Sequence, residues 1–304
     1  MDNYEKIMQS IENIYHATDH DLITENANTN GKSPVGQLSL VASEASKMYA
    51  ENFLGEKVLE AFKEGYIHIH DFDFMMTGTT TCCQIPLGKL LGKGFYVGEC
   101  YMRQPQSIST AMALASIILQ SNQNNQHGGQ AFANFDFDLA PYISKSYEKH
   151  KQDIMEILGE DVDNELVKKL AWKRTKEETK QACEGFVHNA NSMLCRNGAQ
   201  TPFTSINFGL DTSPEGRMIS KYIMKAQQAG LGDGTTPIFP ILIFKCKTGV
   251  NFQKGDPNYD LYQLAIDTTS KRLFPNFVNC DVEFNQNPDS DDPRDAIATM
   301  GELM

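Results

Sequence analysis

The sequence has no run of apolar residues near the ~20 needed to cross a bilayer. The longest, Met112–Leu119 and Ile238–Phe244, are far shorter. Its first ten residues, MDNYEKIMQS, lack the apolar core of a signal peptide. Positive charge is scarce: Lys and Arg number 27 against 39 Asp and Glu, a formal net charge of −12. That balance argues against a nonspecific grip on nucleic acid, although a few local donors can still hold a small phosphate ligand. The seven cysteines are odd in number and scattered, which points to a reducing cytoplasm rather than a disulfide framework. No P-loop, GxGxxG, HExxH, CxxC or GxSxG occurs, which removes the usual nucleotide-fold, zincin, redox-motif and hydrolase readings. Internal repeats and low-complexity tracts are absent as well. What remains is ordinary globular usage, 40% hydrophobic and 22% charged, over 304 residues. That length suits one large domain or two ordinary ones, with core enough to fold without a disulfide or metal.

Periodicity supplies the elements. Tyr4–Tyr15 reads as a short amphipathic helix. Leu38, Val41, Ala45 and Met48 repeat at helical spacing, Val58, Leu59 and Phe62 continue the pattern, and Gly65 closes it. The Asn-, Gly- and Pro-bearing stretch Thr24–Gly36 between them is a loop. Ile67–Phe74 alternates apolar and polar, which predicts a strand. Ser107–Gln120 is a mostly apolar helix, and Leu139–Leu158 and Asn164–Leu194 are long helices. Strands at Thr201–Gly209, Thr236–Lys245 and Phe274–Val282 then alternate with helices at Pro214–Leu231 and Asn258–Leu273. Near-continuous apolar strands between helices predict a sheet buried on both faces, hence an α/β fold.

Four segments could carry chemistry. His68, His70, Asp71 and Asp73 fall within six residues. On a strand, both imidazoles would share one face and both carboxylates the other. They could form part of a metal site completed by Cys82 or Cys83, line the rim of a pocket, or simply be hydrogen-bonded at a strand end. Cys82 and Cys83 are adjacent, a placement unsuited to an unstrained disulfide with each other. They follow a Thr- and Gly-rich loop directly after the histidines, so one of them could face a polar site. The loop Asn125, Gln126, His127, Gly128, Gly129 combines amide and imidazole donors with glycines that let a ligand approach the backbone. Thr204, Ser205 and Asn207 add polar groups to an otherwise apolar strand. A solvated loop and structural hydrogen bonds are the plain alternatives for these last two.

The segments ENAN, HIHDFDF, TTTCCQIPLGKL, NQHGGQAFANFDFDLAPY, CRNGAQTPFTSINFG and LFPNFVN, in this order, resemble the anaerobic ribonucleoside-triphosphate reductases. These are the class III, glycyl-radical ribonucleotide reductases, and the likeness runs from about Glu25 to Gly301. The resemblance implies a ten-stranded α/β barrel of two antiparallel halves, with an N-terminal helical region. It implies reduction of ribonucleoside triphosphates to deoxyribonucleoside triphosphates for DNA synthesis, with formate as reductant. A glycyl radical, made by an S-adenosylmethionine/iron–sulfur activase, generates a thiyl on a finger-loop cysteine in this family. That thiyl takes the ribose 3′ hydrogen, and the 2′ hydroxyl leaves as water. A second cysteine on the first barrel strand assists, and it maps to the Cys82–Cys83 pair, with Cys83 favoured because it lies fifteen residues after His68. His68, His70, Asn125, Gln126, His127, Gly128, Gly129, Thr204, Ser205 and Asn207 are the candidate substrate-binding residues, with no metal ligand among them.

The same resemblance marks residues 1–304 as an N-terminal portion of the catalytic domain. The ATP-cone, the finger-loop cysteine, the zinc module and the glycyl-radical segment are expected outside it. Where the family reads MGCRT, this chain reads Met300-Gly-Glu-Leu-Met304. Expected partners are a ribonucleoside triphosphate substrate, a deoxynucleoside triphosphate effector on the helices from Ser107 to Leu158, the activase, the remaining half and a second copy in a homodimer. Neither a nucleic acid nor a membrane is among them. A non-catalytic nucleotide-binding piece and a metal-dependent enzyme built on the HIHD cluster are the competing functions.

Overall fold

The structure, a computed structural model, describes residues 3–16, 33–78, 82–159, 162–194, 201–287, 289–290 and 292–301. The chain divides into two compact units. One comprises residues 1–82, 122–128 and 194–202, and the other comprises 83–121, 129–193 and 203–304. Cys195 and the loop Thr24–Lys32 lie outside the described residues.

The first unit is helical. It contains α1 (Asn3–His16), α2 (Pro34–Ala50), a 3-10 turn at Glu51–Phe53 and α3 (Glu56–Lys63). Ser33 caps α2 by accepting from the Gly36 N–H, with Pro34 at the first helical position. The single helix expected from Leu38 to Phe62 is two. Leu54 turns extended, and Gly55, a poor helix former, becomes the N-cap of α3. Gly65 follows that helix with φ +77°, in the expected role.

The strand expected at Ile67–Phe74 is absent. Asp71 adopts the left-handed conformation (φ 50°, ψ 42°), and a 3-10 turn follows at Phe72–Phe74. Asp is one of the few non-glycine types that enters this region readily. The turn buries Phe72 against Phe62, with ring centroids 5.0 Å apart. It also sends Asp73 to α2, where its carboxylate accepts from Ser43 Oγ at 2.8 Å and its carbonyl accepts from Ser46 Oγ. The apolar–polar alternation thus records a turn whose aromatic and acidic side chains anchor in different places.

The second unit is built on a parallel sheet of β1 (Cys83–Ile85), β4 (Gln130–Phe132), β5 (Thr204–Phe208), β6 (Ile241–Cys246) and β7 (Asn276–Asn279), in that spatial order. Every pairing is parallel. Between β1 and β4 come α4 (Leu87–Lys93), a hairpin of β2 (Phe95–Val97) and β3 (Cys100–Met102), and α5 (Ile108–Gln123). Crossovers α6 (Phe135–Leu158) with α7 (Asn164–Ser192), then α8 (Pro214–Ala229), then α9 (Tyr259–Arg272) complete the order. Each strand is laid beside its predecessor in one direction, which places successive helices on the same face and curls the sheet toward a barrel. Sequence patterns miss α4, the hairpin and β4. The last begins at Gln130, inside what reads as loop.

Period two sorts the strands. Ile85, Phe132, Ile206, Phe208, Leu242, Phe244 and Cys246 join Met112, Ile143, Phe186 and Ile223 in the main core on the helix-covered face. Ile241, Ile243, Val278 and Cys280 face the other way, packed with Leu210, Phe239, Ala296 and Ile297. Leu242 and Phe244 are wholly buried on the interior strand β6, while Ile238, just before it, is exposed. Gly209 ends β5 at φ +112°, where a Cβ would meet the Phe244 ring at 2.8 Å, so glycine is required on both counts.

Candidate functional site

In open parallel sheets and barrels, ligands collect at the carboxyl ends of the strands. Here those ends carry a cluster of buried polar groups in the second unit. Asp136 lies in the first turn of α6, and its carboxylate accepts from the N–H groups of Gly209 (2.8 Å) and Asp211 (3.1 Å) and from Ser220 Oγ. It thereby ties the end of β5 to α6 and α8. Burial drives its pKa upward, against those two hydrogen bonds and the Lys245 charge. Asp138, two residues on, is pushed up to about 6, chiefly by burial. Lys245, near the end of β6, is 1% exposed. Its Nζ donates to Asn134 Oδ1 (3.0 Å) and to the Ala296 carbonyl (3.2 Å), and burial lowers its pKa against the pull of Asp136. Environment-shifted ionisable groups cluster at functional sites and also occur in structural ion-pair networks.

The face of the sheet opposite the helices is polar at its centre. Ser205 and Asn207 point there, alternating with Ile206 and Phe208 of the main core. Gln84 of β1 shares that face, and its Nε2 donates to the Ala298 carbonyl at 3.4 Å. Asn207 Nδ2 donates to the carbonyls of Thr299 (2.9 Å) and Phe132 (3.3 Å), while its Oδ1 accepts from the Thr299 N–H (3.0 Å). Ser205 Oγ accepts from the Gly301 N–H at 2.9 Å. Thr204 has the opposite parity and is buried. Gly129 accepts from the Cys83 N–H, and Gln130 reaches the Leu119 carbonyl at 2.7 Å, so both act in joining β4 to its neighbours. Cys83 packs with Ile85 toward the helix-side core.

The other candidates gather within the first unit. His127 Nε2 donates to Asp71 Oδ2 at 2.9 Å, and His70 Nε2 lies 3.1 Å from the same oxygen. Phe74 stacks on the His127 ring at 4.5 Å, nearly parallel. Gln126 Nε2 donates to the Gly128 carbonyl at 3.0 Å. His127 and Gln126 are buried, while His68, His70 and Asn125 are exposed. His70 and His127 therefore meet through a shared carboxylate at a turn. His68, expected to share a strand face with His70, has its ring 6.2 Å from that of His70 and takes no part in that contact. Among the described residues, no group of three or more His, Cys, Asp or Glu is placed to hold a metal ion. Sequence reasoning passed over Gln84, Asn134, Asp136, Asp138 and Lys245. Lys245 carried a signal, a lone charge closing an apolar strand, and FDFD placed two acids at a helix start.

A family profile described as anaerobic ribonucleoside-triphosphate reductase matches residues 25–302. The enzyme of that name from Enterobacteria phage T4 is 37% identical over 275 residues, covering 90% of this chain and 44% of that protein. The Escherichia coli K12 enzyme is 36% identical over 279 residues, covering 91% and 38%. Among solved structures, the anaerobic ribonucleotide reductase of Thermotoga maritima in complex with dATP and CTP superposes with a TM-score of 0.60 at 11% identity. That match spans 93% of this chain and 50% of the Thermotoga chain. The same enzyme with dATP in its specificity site gives 0.59 at 14% identity. The chain thus spans about two-fifths of the length of the relatives it matches in sequence. On the profile match and these identities, the chain belongs to the anaerobic ribonucleoside-triphosphate reductase family.

Proposed function

We propose that this chain forms the N-terminal half of the catalytic barrel of an anaerobic ribonucleoside-triphosphate reductase, working with the rest of the barrel. The observation that carries this reading is the all-parallel five-stranded sheet with an adjacent cysteine pair at the start of β1. Loss of the ribose 2′ hydroxyl as water needs a proton at that oxygen, and a thiol Sγ can give it. We assign the proton-donating role to Cys82, the exposed member of the pair, because Cys83 packs toward the helix-side core.

The family's glycyl radical would supply the hydrogen-abstraction chemistry. No residue of this chain is assigned to it, to the activase or to formate. Zinc finds no ligand set among the described residues and takes no part in the reading. The substrate is a ribonucleoside triphosphate. The effector is a deoxynucleoside triphosphate on the α5–α6 surface of a homodimer, by analogy with the dATP-bound Thermotoga enzyme. Among the described residues no helix is long and apolar enough to cross a membrane, which agrees with a cytoplasmic enzyme. The test is anaerobic turnover of the reconstituted enzyme carrying Cys82→Ser or Cys83→Ser. The expected result is near-complete loss in the first and modest loss in the second. Loss only in Cys83→Ser would move the role to that residue, and full activity in both would overturn the assignment.

A further inference from the structure

Residues 294–301 run along the polar face of the sheet, and five side chains from four different strands or strand ends hold them by the main chain alone. Asn134 Nδ2 donates to the Arg294 carbonyl at 2.8 Å, Lys245 Nζ to Ala296, and Gln84 Nε2 to Ala298. Asn207 closes a two-bond clamp on the carbonyl and N–H of Thr299, and Ser205 Oγ receives the Gly301 N–H. The bonds fall at 294, 296, 298, 299 and 301, so the seat reads backbone at close intervals along the segment. Two apolar side chains of the segment, Ala296 and Ile297, pack against the cluster around Ile241 and Ile243. At Gly301 a Cβ would come within 2.6 Å of Ile241 Cδ1 and Cγ2, so only glycine fits against β6.

We propose that residues 294–301 are a seated strap and that Gln84, Asn134, Ser205, Asn207 and Lys245 are its positioning residues. Ser205 and Asn207 therefore hold chain rather than nucleotide. Both hydrogen-bonding ends of the Asn207 amide are engaged, Nδ2 with two carbonyls and Oδ1 with an N–H, which leaves it no donor proton for a ligand. A seat that grips only main chain also fixes the direction in which the strap crosses the strands. This inference rests on the reading above in taking that face as the reaction face.

The test is hydrogen exchange by mass spectrometry on the chain and its variants, with CTP titration alongside. Asn207→Ala should speed exchange of the 294–301 peptide about tenfold, the loss expected when a buried pair of hydrogen bonds is removed. Thr299→Pro deletes the strap's own N–H without touching the sheet and should do the same. The double variant should exchange no faster than either single one, because both break one clamp. Ser205→Thr keeps the hydroxyl and should leave the strap protected, whereas Ser205→Ala should expose its last residues. Unchanged strap exchange in both Asn207→Ala and Thr299→Pro would overturn the proposal. So would loss of CTP binding in Asn207→Ala with strap protection intact, since the side chain would then be a ligand contact. Full activity in both cysteine variants would sink the functional reading and leave this exchange pattern untouched, so the two failures are distinguishable.

Discussion

The two compact units solve the same problem with different material. Among the described residues, all three apolar clusters belong to the sheet-bearing unit, where Phe132, Phe186, Phe208 and Phe244 are essentially inaccessible. Among the described residues of the helical unit Ala50, Phe72 and Pro202 are buried, while Leu38, Tyr49, Phe53, Val58, Tyr66 and Met75 are exposed. What holds its HIHD turn is mostly polar and aromatic: the Ser43–Asp73 bond, the Asp71–His127 bond and the Phe74–His127 stack. Burial of apolar area is the larger stabilising term, at roughly 25 cal/mol per Å². Among the described residues the difference predicts that the sheet unit carries the cooperativity and that the helical unit opens at lower free energy.

The strongest way to break that comparison is a matched pair of truncations. Phe244→Ala removes a ring that meets Phe208, Tyr262 and Phe277, and it should cost about 3–5 kcal/mol in urea unfolding. Leu38→Ala, at a residue 62% exposed, should fall within about 0.5 kcal/mol of wild type. Comparable losses in the two variants would show that the helical unit is as well packed as the sheet.

Polar contacts should rank the same way. Asp136→Ala leaves the N–H groups of Gly209 and Asp211 buried without their acceptor, and about 3 kcal/mol should be lost. Asp73→Ala, where the acid is only half-buried, should cost about 1 kcal/mol. Equal effects would mean that burial depth does not set the worth of these carboxylates.

Legibility follows the same division. The sheet unit was readable because burial on both faces imposes apolar runs, so Thr204–Phe208, Ile241–Cys246 and the helices around them could be placed within a few residues. Short strands were not readable. Gln130–Phe132 pairs on both sides yet has three residues, too few for a period to show. HIHDFDF carried a true alternation produced by a turn, because local pattern cannot register that Asp71 enters the left-handed region. Ser205 and Asn207 were found as polar intrusions in an apolar strand. Their partner, the segment 294–301, lies some ninety residues downstream and announces itself by no pattern. Lys245 showed as a lone charge closing an apolar strand and Asp138 as one of two acids at a helix start. How far each is withdrawn from water could not be read, since that depends on contacts made far along the chain.

The pH dependence of stability sharpens the comparison further, because the carboxyl lifted to about 6 belongs to the sheet unit. Asp138 is raised from 3.8 chiefly by burial, with Asp136 adding and the Gly88 N–H, Lys245 and Arg294 opposing. Below the unfolded value the group is protonated in both states, and its contribution is fully favourable. Between about 4 and 6 the unfolded chain loses the proton while the folded chain keeps it, so the folded state binds more protons and stability falls as pH rises. Above about 6 no further change follows. The loss across the window should be about 2 kcal/mol. Unfolding midpoints of wild type and Asp138→Asn at pH 4 and pH 7 isolate it, since other groups cancel in the difference. A difference between the two proteins that does not change with pH would show that folding leaves the Asp138 carboxyl unshifted.

The smallest expected effect has opposite signs in the two units. Thr299 Oγ1 is buried and has no hydrogen-bond partner among the described residues. The Asn207 clamp uses only the Thr299 main chain, so Thr299→Val keeps both of those bonds and nearly the same volume. Removing a desolvated hydroxyl that satisfies nothing should stabilise the chain by up to about 1 kcal/mol. In the helical unit Ser43→Ala discards a hydroxyl that does donate, to Asp73 at 2.8 Å, and should lose about 0.5–1 kcal/mol. Paired thermal melts at one pH read both signs directly. A Thr299→Val variant less stable than wild type by 1 kcal/mol or more would mean that the hydroxyl is satisfied in solution. The polar face beneath the strap would then be better hydrogen-bonded than its geometry implies, and the contrast with the Ser43 site would collapse.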